Sequence, residues 1–181
     1  MGGYGSGRKF YSAKTTVEDC RSIDATRWQR EDILRPLCSS RGGRWIWSDP
    51  DTKEERASIG YESDCGDTSG FVQLNYTVTR HDEKIPLDYP IRLTTTKTPW
   101  GKLRWWFICP LVVDGRACGR RVRKLYLPGG GKYFGCRHCY NLTYTSCQES
   151  HKFDSLFGQI GAPRGLSARE VGRLFKKAKW K

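Results

Sequence analysis

In Phe71-Val72-Gln73-Leu74-Asn75-Tyr76-Thr77-Val78-Thr79, apolar and polar side chains alternate from Val72 onward. Side chains along a strand point to opposite faces in turn, so Val72, Leu74, Tyr76 and Val78 share one face and Gln73, Asn75, Thr77 and Thr79 the other. A strand with one buried side reads this way, and residues 41–108 as a whole have the same texture. Residues 44–48, 57–61, 91–96 and 103–108 are further strand candidates. Asp49-Pro50-Asp51, Gly66-Asp67-Thr68-Ser69-Gly70 and Pro99-Trp100-Gly101 separate them with turn-forming residues. Order and spacing predict an antiparallel meander of about five strands.

Toward the N-terminus the pattern becomes helical. Thr15-Thr16-Val17-Glu18 has the form of a capping box, and Asp24 is placed to cap a second short helix reaching Leu34, with Pro36 as its stop. Trp28 and Ile33 are expected in the core, and Arg27, Arg30 and Arg35 in solvent. Residues 1–14 read as a flexible tail carrying Arg8, Lys9 and Lys14 among four glycines. Toward the C-terminus, residues 109–140 hold a cysteine module and 141–166 look irregular. Ser167-Ala168-Arg169-Glu170 is another capping box, followed by Val171, Leu174, Phe175 and Ala178 at helical spacing. Arg169, Arg173, Lys176, Lys177 and Lys179 fill that helix's other positions. The expected fold class is α+β. A basic tail (1–14) precedes short N-terminal helices and an antiparallel sheet (15–108). An appended four-cysteine zinc ribbon (109–140) and an irregular segment ending in a basic amphipathic helix (141–181) complete the chain.

The cysteines carry the chemistry. Eight in a short chain suggest disulfides where the protein is exported, but Met1-Gly2-Gly3-Tyr4-Gly5-Ser6-Gly7 lacks the apolar stretch of a secretory signal. No apolar run is long enough to span a bilayer. Reduced thiols, a cytoplasmic location and no membrane partner are therefore expected. Cys20, Cys38, Cys65 and Cys147 are scattered and read as buried thiols. Cys109, Cys118, Cys136 and Cys139 read as two knuckles offering four thiolates to one structural Zn2+. Four thiolates close the coordination sphere and leave no position for the activated water of a catalytic zinc. Pro110 stiffens the first knuckle's entry, and Gly119 permits the positive φ that turns backbone amides toward the sulfurs. Residues 122–135, with Pro128-Gly129-Gly130-Gly131 at their centre, read as a hairpin delivering the second pair. Cys109 and Cys118 are separated by eight residues, read as a small loop around Asp114-Gly115 inserted in the first knuckle. His138 lies inside the second knuckle, where its tight position argues against it as a ligand.

Charge points to a partner. Of 32 basic and 19 acidic side chains, residues 1–96 hold 14 and 15, so residues 97–181 hold 18 and 4 and carry the whole formal excess of +13. Zinc with four thiolates lowers that total by two, to about +11. A polyanion, nucleic acid first, is the expected partner, held by Arg120, Arg121, Arg123, Lys124, Lys132 and Arg137 of the ribbon and Lys176, Lys177 and Lys179 of the last helix. Tyr126, Tyr133 and Tyr140 are interleaved with these charges, placed either to stack on bases or to pack the small module. Nothing resembles a base-reading helix, so phosphate-backbone contacts are expected, to DNA or RNA. A protein-interaction adaptor docking on a host protein is the alternative. An enzyme, for instance a nuclease, is disfavoured, because His81, His138 and His151 and the carboxylates Asp114, Glu149, Asp154 and Glu170 show no catalytic spacing. No small-molecule substrate is expected.

Several motifs resemble a widespread, uncharacterised family of small zinc-ribbon proteins of bacteria and mobile elements. They are Gly2-Gly3-Tyr4-Gly5-Ser6-Gly7-Arg8, Ser22-Ile23-Asp24, Tyr89-Pro90, Trp106-Phe107-Ile108-Cys109-Pro110, Cys118-Gly119-Arg120-Arg121-Val122, Lys124-Leu125-Tyr126 and the run from Tyr133 through Cys136-Arg137-His138-Cys139 to Tyr144. The likeness covers about residues 1–150. It implies a prokaryotic origin and the zinc site, and no activity. The first knuckle is typically shorter in that family than the stretch between Cys109 and Cys118.

Overall fold

The alternation becomes a sheet. The computed structural model describes residues 14–80, 82–149, 159, 165–167, 170, 171, 173 and 174, in two units: Asp19–Leu142, and Met1–Glu18 with Thr143–Lys181. The larger unit opens with strand β1 (Arg21–Asp24) and helix α1 (Ala25–Arg30). It then forms β2 (Cys38–Ser48), β3 (Glu55–Cys65), β4 (Ser69–Arg80), β5 (Glu83–Lys97) and β6 (Leu103–Ile108). Short strands β7 (Val112–Val113), β8 (Arg116–Ala117), β9 (Arg121–Val122) and β10 (Lys124–Leu127) follow. The main sheet runs β2-β3-β4-β5-β6-β9, and every pairing in it is antiparallel. β1 pairs with β10 and β7 with β8 in two small sheets.

The meander thus forms, with longer strands than the pattern suggests. β5 spans fifteen residues and includes Pro86 and Pro90. Proline lacks the N–H a central strand needs. β6 pairs only with Leu93–Lys97 of β5, so both prolines lie where one edge of β5 has no strand partner.

The expected α+β class is overturned: the protein is mostly β, with two short helices among the described residues. Within 15–37 only α1, six residues long, is helical. Asp24 caps it as the sequence indicates, accepting from Thr26 N–H at 2.9 Å. Asp32, at φ 56°, prevents its continuation. Ile33 and Leu34 reach the core through a turn in which both N–H groups donate to Trp28 O. Ahead of α1, Ile23 has Leu125 opposite it in the β1–β10 register, and this pairing draws residues 21–24 into a strand.

In the smaller unit, Thr16 bridges Thr143. Helix α2 (Thr145–Glu149) lies in the stretch expected to be irregular. Thr145 donates its N–H and hydroxyl to the Glu18 carboxylate, both at 3.1 Å, so the glutamate of the first capping box serves α2 and not a helix of its own. The Ser167 box does close: Ser167 N–H and Oγ–H donate to Glu170 at 2.8 and 2.6 Å. Lys176, Lys177, Lys179 and the basic tail through residue 13 lie outside the described residues.

The core fills the space between α1, β1–β10 and one face of the sheet. Trp28, Trp105, Phe107, Phe134, Ile23, Val72, Leu74, Ile91 and Leu125 are fully buried. Trp28 sits at its centre, with ring centroids 5.4 to 5.7 Å from Tyr61, Trp45 and Phe107. Gln29 fixes α1 to β6 by donating to Leu103 O at 2.8 Å and accepting from Trp105 N–H at 3.4 Å. Trp28→Ala is expected to cost about 3–5 kcal/mol of stability. Trp28→Phe should cost clearly less, because the buried Trp28 Nε1–H has no hydrogen-bond partner among the described residues and phenylalanine removes that donor. Urea unfolding midpoints of the two variants test this order.

Candidate metal centre

Two turns carry the four sulfurs. Cys109 follows β6 and donates its N–H to Arg120 O at 2.9 Å, and Cys118 donates to Leu111 O at 2.8 Å. Between them β7 and β8 form a hairpin with Val112 opposite Ala117 and Val113 opposite Arg116. Its turn is Asp114-Gly115, at φ 51° and 73°, the left-handed pair that two-residue hairpins require. The long spacing is therefore an inserted hairpin whose closing bonds return Cys118 to Cys109. Gly119 follows at φ 57°. β9 then pairs back onto β6, Val122 opposite Phe107 and Arg121 opposite Ile108.

The second turn is delivered by β10. Gly131 N–H closes the glycine turn onto Pro128 O at 2.9 Å, and Tyr126 and Gly135 exchange hydrogen bonds at 2.8 and 2.9 Å. A Cβ at Gly135 would stand 2.1 Å from Leu111 Cδ1, so any larger residue there makes Leu111 move. Tyr140 N–H to Cys136 O at 3.3 Å and Leu142 N–H to Arg137 O at 3.0 Å wind residues 136–142 into a tight turn. A tyrosine relay holds this arm to the sheet. Phe134 N–H donates to Tyr89 Oη, Tyr89 and Tyr76 share a hydrogen bond, and Tyr76 Oη–H donates to Lys132 O, at 2.9, 2.9 and 2.7 Å. Burial pushes both phenol pKa values up, so the relay keeps its protons.

Together the turns bring Cys109, Cys118, Cys136 and Cys139 into one cluster, their sulfurs all within 4.8 Å of one another. Sγ–Sγ distances are 3.9 Å for Cys109–Cys139, 3.8 Å for Cys118–Cys136 and 3.5 Å for Cys136–Cys139. A disulfide needs about 2.05 Å, and a tetrahedral ion with metal–sulfur bonds of about 2.3 Å needs sulfurs about 3.8 Å apart. The four cysteines fit a metal ion. Backbone amides also face the sulfurs: Cys136 N–H lies 3.3 Å from Cys109 Sγ and Cys139 N–H 3.4 Å from Cys136 Sγ. His138 is exposed and outside the cluster. Of the scattered cysteines only Cys65 is buried; Cys20 and Cys38 are half-buried and Cys147 is exposed.

The described basic residues of the predicted set stand in different settings. Arg120 and Arg121 are exposed beside the first turn, Arg121 with its guanidinium 5.6 Å from the Trp106 ring. Arg123 and Lys124 share Asp24 at 3.4 and 3.6 Å. Lys132 and Arg137 are half-buried. Of the tyrosines, Tyr126 is buried, Tyr140 is half-buried with its hydroxyl on Tyr133 O, and Tyr133 is exposed. Two cations escaped the sequence reading. Arg116 is exposed on β8, and Arg104 lies 5.8 Å from Trp106; only the strand register could have placed them here.

Burial pushes the Cys109 thiol up to about 11 and raises Cys139 as well. Cys136 goes the other way: burial opposes its ionisation, but the Cys139 and His138 N–H groups and the neighbouring thiols outweigh it. Protons held by raised thiols must leave when a metal enters, so affinity falls as pH falls. The apparent metal dissociation constant should rise by about tenfold or more per pH unit on acidification from about pH 8 to about pH 6, read by chelator competition. Cys118→Ser should lose the metal, whereas Cys147→Ser should retain it. No helix among the described residues is long and apolar enough to cross a membrane. The case for the centre rests on this geometry, because the chain matches no family model, no curated protein and no solved structure.

Proposed function

We propose that the cluster holds one structural zinc ion and that the protein is a non-enzymatic nucleic-acid-binding protein engaging mainly phosphates. The observation that carries this reading is the closed four-sulfur cluster within a strongly basic stretch. Residues 97–142 contain ten Lys and Arg and a single acid, Asp114. Tetrahedral thiolate sites suit zinc or iron, and a closed zinc sphere holds shape without doing chemistry. The ribbon then serves as a rigid mount for Arg120 and Arg121, with Arg116, Arg120 and His138 around a shallow hollow of about 290 Å3 beside Cys118 and Cys139. The likeness to mobile-element zinc-ribbon proteins is compatible with this role.

The adaptor reading is favoured by one feature, an apolar hollow of about 440 Å3 lined by Tyr89, Pro90, Pro110, Leu111, Val112 and Tyr133. A protein retained by the chain after nuclease treatment of a lysate would support it.

Elemental analysis of the reduced protein should find one zinc per chain, and one iron would reassign the ion. Affinity for an oligonucleotide should fall steeply with salt, and Arg120→Ala with Arg121→Ala should lower the log–log slope by about 1.4 to 1.8. A slope near zero for the wild type would remove the nucleic-acid reading.

A further inference from the structure

The outer face of the sheet departs from the alternation that built the inner one. Val72 faces Ile91 and Leu93 faces Phe107 across the strands, and all four are buried on the core side. Their neighbours Phe71, Arg92, Thr94 and Trp106 therefore point outward. Phe71 lies opposite Arg92 and Trp106 opposite Thr94. Arg104 and Ile108 share the face of Trp106 as alternate residues of β6, and Arg121 lies opposite Ile108. A solvent-facing sheet surface should be polar here. It carries two aromatic rings instead, one of them, Phe71, 43% exposed.

Three arginines frame these rings. Arg104 and Arg121 place their guanidinium groups 5.8 and 5.6 Å from the Trp106 centroid, and Trp106 Nε1–H donates to Thr96 Oγ1 at 2.8 Å, fixing the indole. Arg92, Arg104 and Arg121 form no ion pair among the described residues. Three acids share this face: Asp64 opposite Phe71, Glu62 opposite Gln73 and Asp88 opposite Asn75. A shallow groove of about 670 Å3 runs between Phe71, Arg92, Ile108 and Gly119, with no carboxylate in its lining. Strand spacing and rise put Phe71 and Trp106 about 12 Å apart, two residues along and two strands across.

We propose that this face of β4, β5, β6 and β9 is a platform for single-stranded nucleic acid, with one base stacking on Phe71, a second on Trp106 in place of a guanidinium that now lies over that ring, and phosphates held by Arg92, Arg104 and Arg121. Paired bases keep their faces inside the duplex, so flat rings select unpaired strands, while the arginines supply a sequence-independent hold. The proposal rests on the nucleic-acid reading above and deepens it. The partner becomes a single strand, and the principal surface becomes the sheet, with Arg121 joining it to the ribbon.

Fluorescence anisotropy of labelled oligo(dT), a labelled duplex and labelled heparin tests this. For the wild type, the single strand should bind tighter than the duplex. Phe71→Ala should weaken oligo(dT) about tenfold and leave heparin unchanged. Arg92→Ala with Arg104→Ala should lower the oligo(dT) salt slope by about 1.4. Thermal unfolding confirms that the variants fold. Independently of any variant, photo-crosslinking of a 5-iodouracil strand to the wild type should label the peptides holding Phe71 or Trp106. If these variants bind like the wild type while Arg120→Ala weakens binding, the platform is overturned and the nucleic-acid reading stands. If the wild type binds no strand at low salt, both fall. Equal losses for oligo(dT) and heparin, with Phe71→Ala silent, would make the face a general polyanion or acidic-protein surface and overturn the stacking platform.

Discussion

Four sulfurs within 4.8 Å of one another cannot all be charged without a cation among them. Two unit charges at about 4 Å repel by about 4 kcal/mol even at an effective dielectric of about 20, and a cluster of four contains six such pairs. A central divalent ion turns that repulsion into attraction. The alternative is to keep protons on the buried thiols, the state toward which burial drives Cys109 and Cys139. The fold around the cluster is arranged so that the first solution is available.

That arrangement has two independent anchors. The first turn is an extension of β6 and β9, so its position is inherited from the sheet. The second is carried by β10, whose other edge pairs with β1, and by Phe134, which is buried against Trp47 and tied through the tyrosine relay. Leu111 of the first turn packs where Gly135 of the second has no side chain. Sheet and relay therefore act on the same two turns that bring the four sulfurs together. Asp24 extends the network, since it caps α1 and also holds Arg123 and Lys124. Those two cations thus serve the fold first.

Much of this was legible in the residues. Alternation over 72–79 marked a half-buried strand, and that strand, β4, lies within the main sheet between β3 and β5. The cysteine spacing marked the four sulfurs that come together, and Asp114-Gly115 marked the turn that makes the long first spacing workable. What misled was local capping chemistry. Thr15–Glu18 has the residues of a helix start, but Glu18 is used at a distance, by Thr145. Residues 21–24 carry no strong strand signal, and their partner lies far along the chain, so pairing outweighed propensity. The outward aromatics were invisible as a surface, because Phe71 and Trp106 belong to different strands and only register sets them on one face.

The β1–β10 ladder joins Arg21 to Leu127, residues roughly a hundred positions apart. During synthesis, the N-terminal strand leaves the ribosome long before its partner exists. Ile23, fully buried in the finished molecule and paired with Leu125, must wait with its apolar surface unsatisfied until β10 emerges. Cys136 and Cys139 follow β10 directly, so the core and the four-sulfur cluster close at the same stage, and until then the nascent chain exposes the apolar surface that drives aggregation.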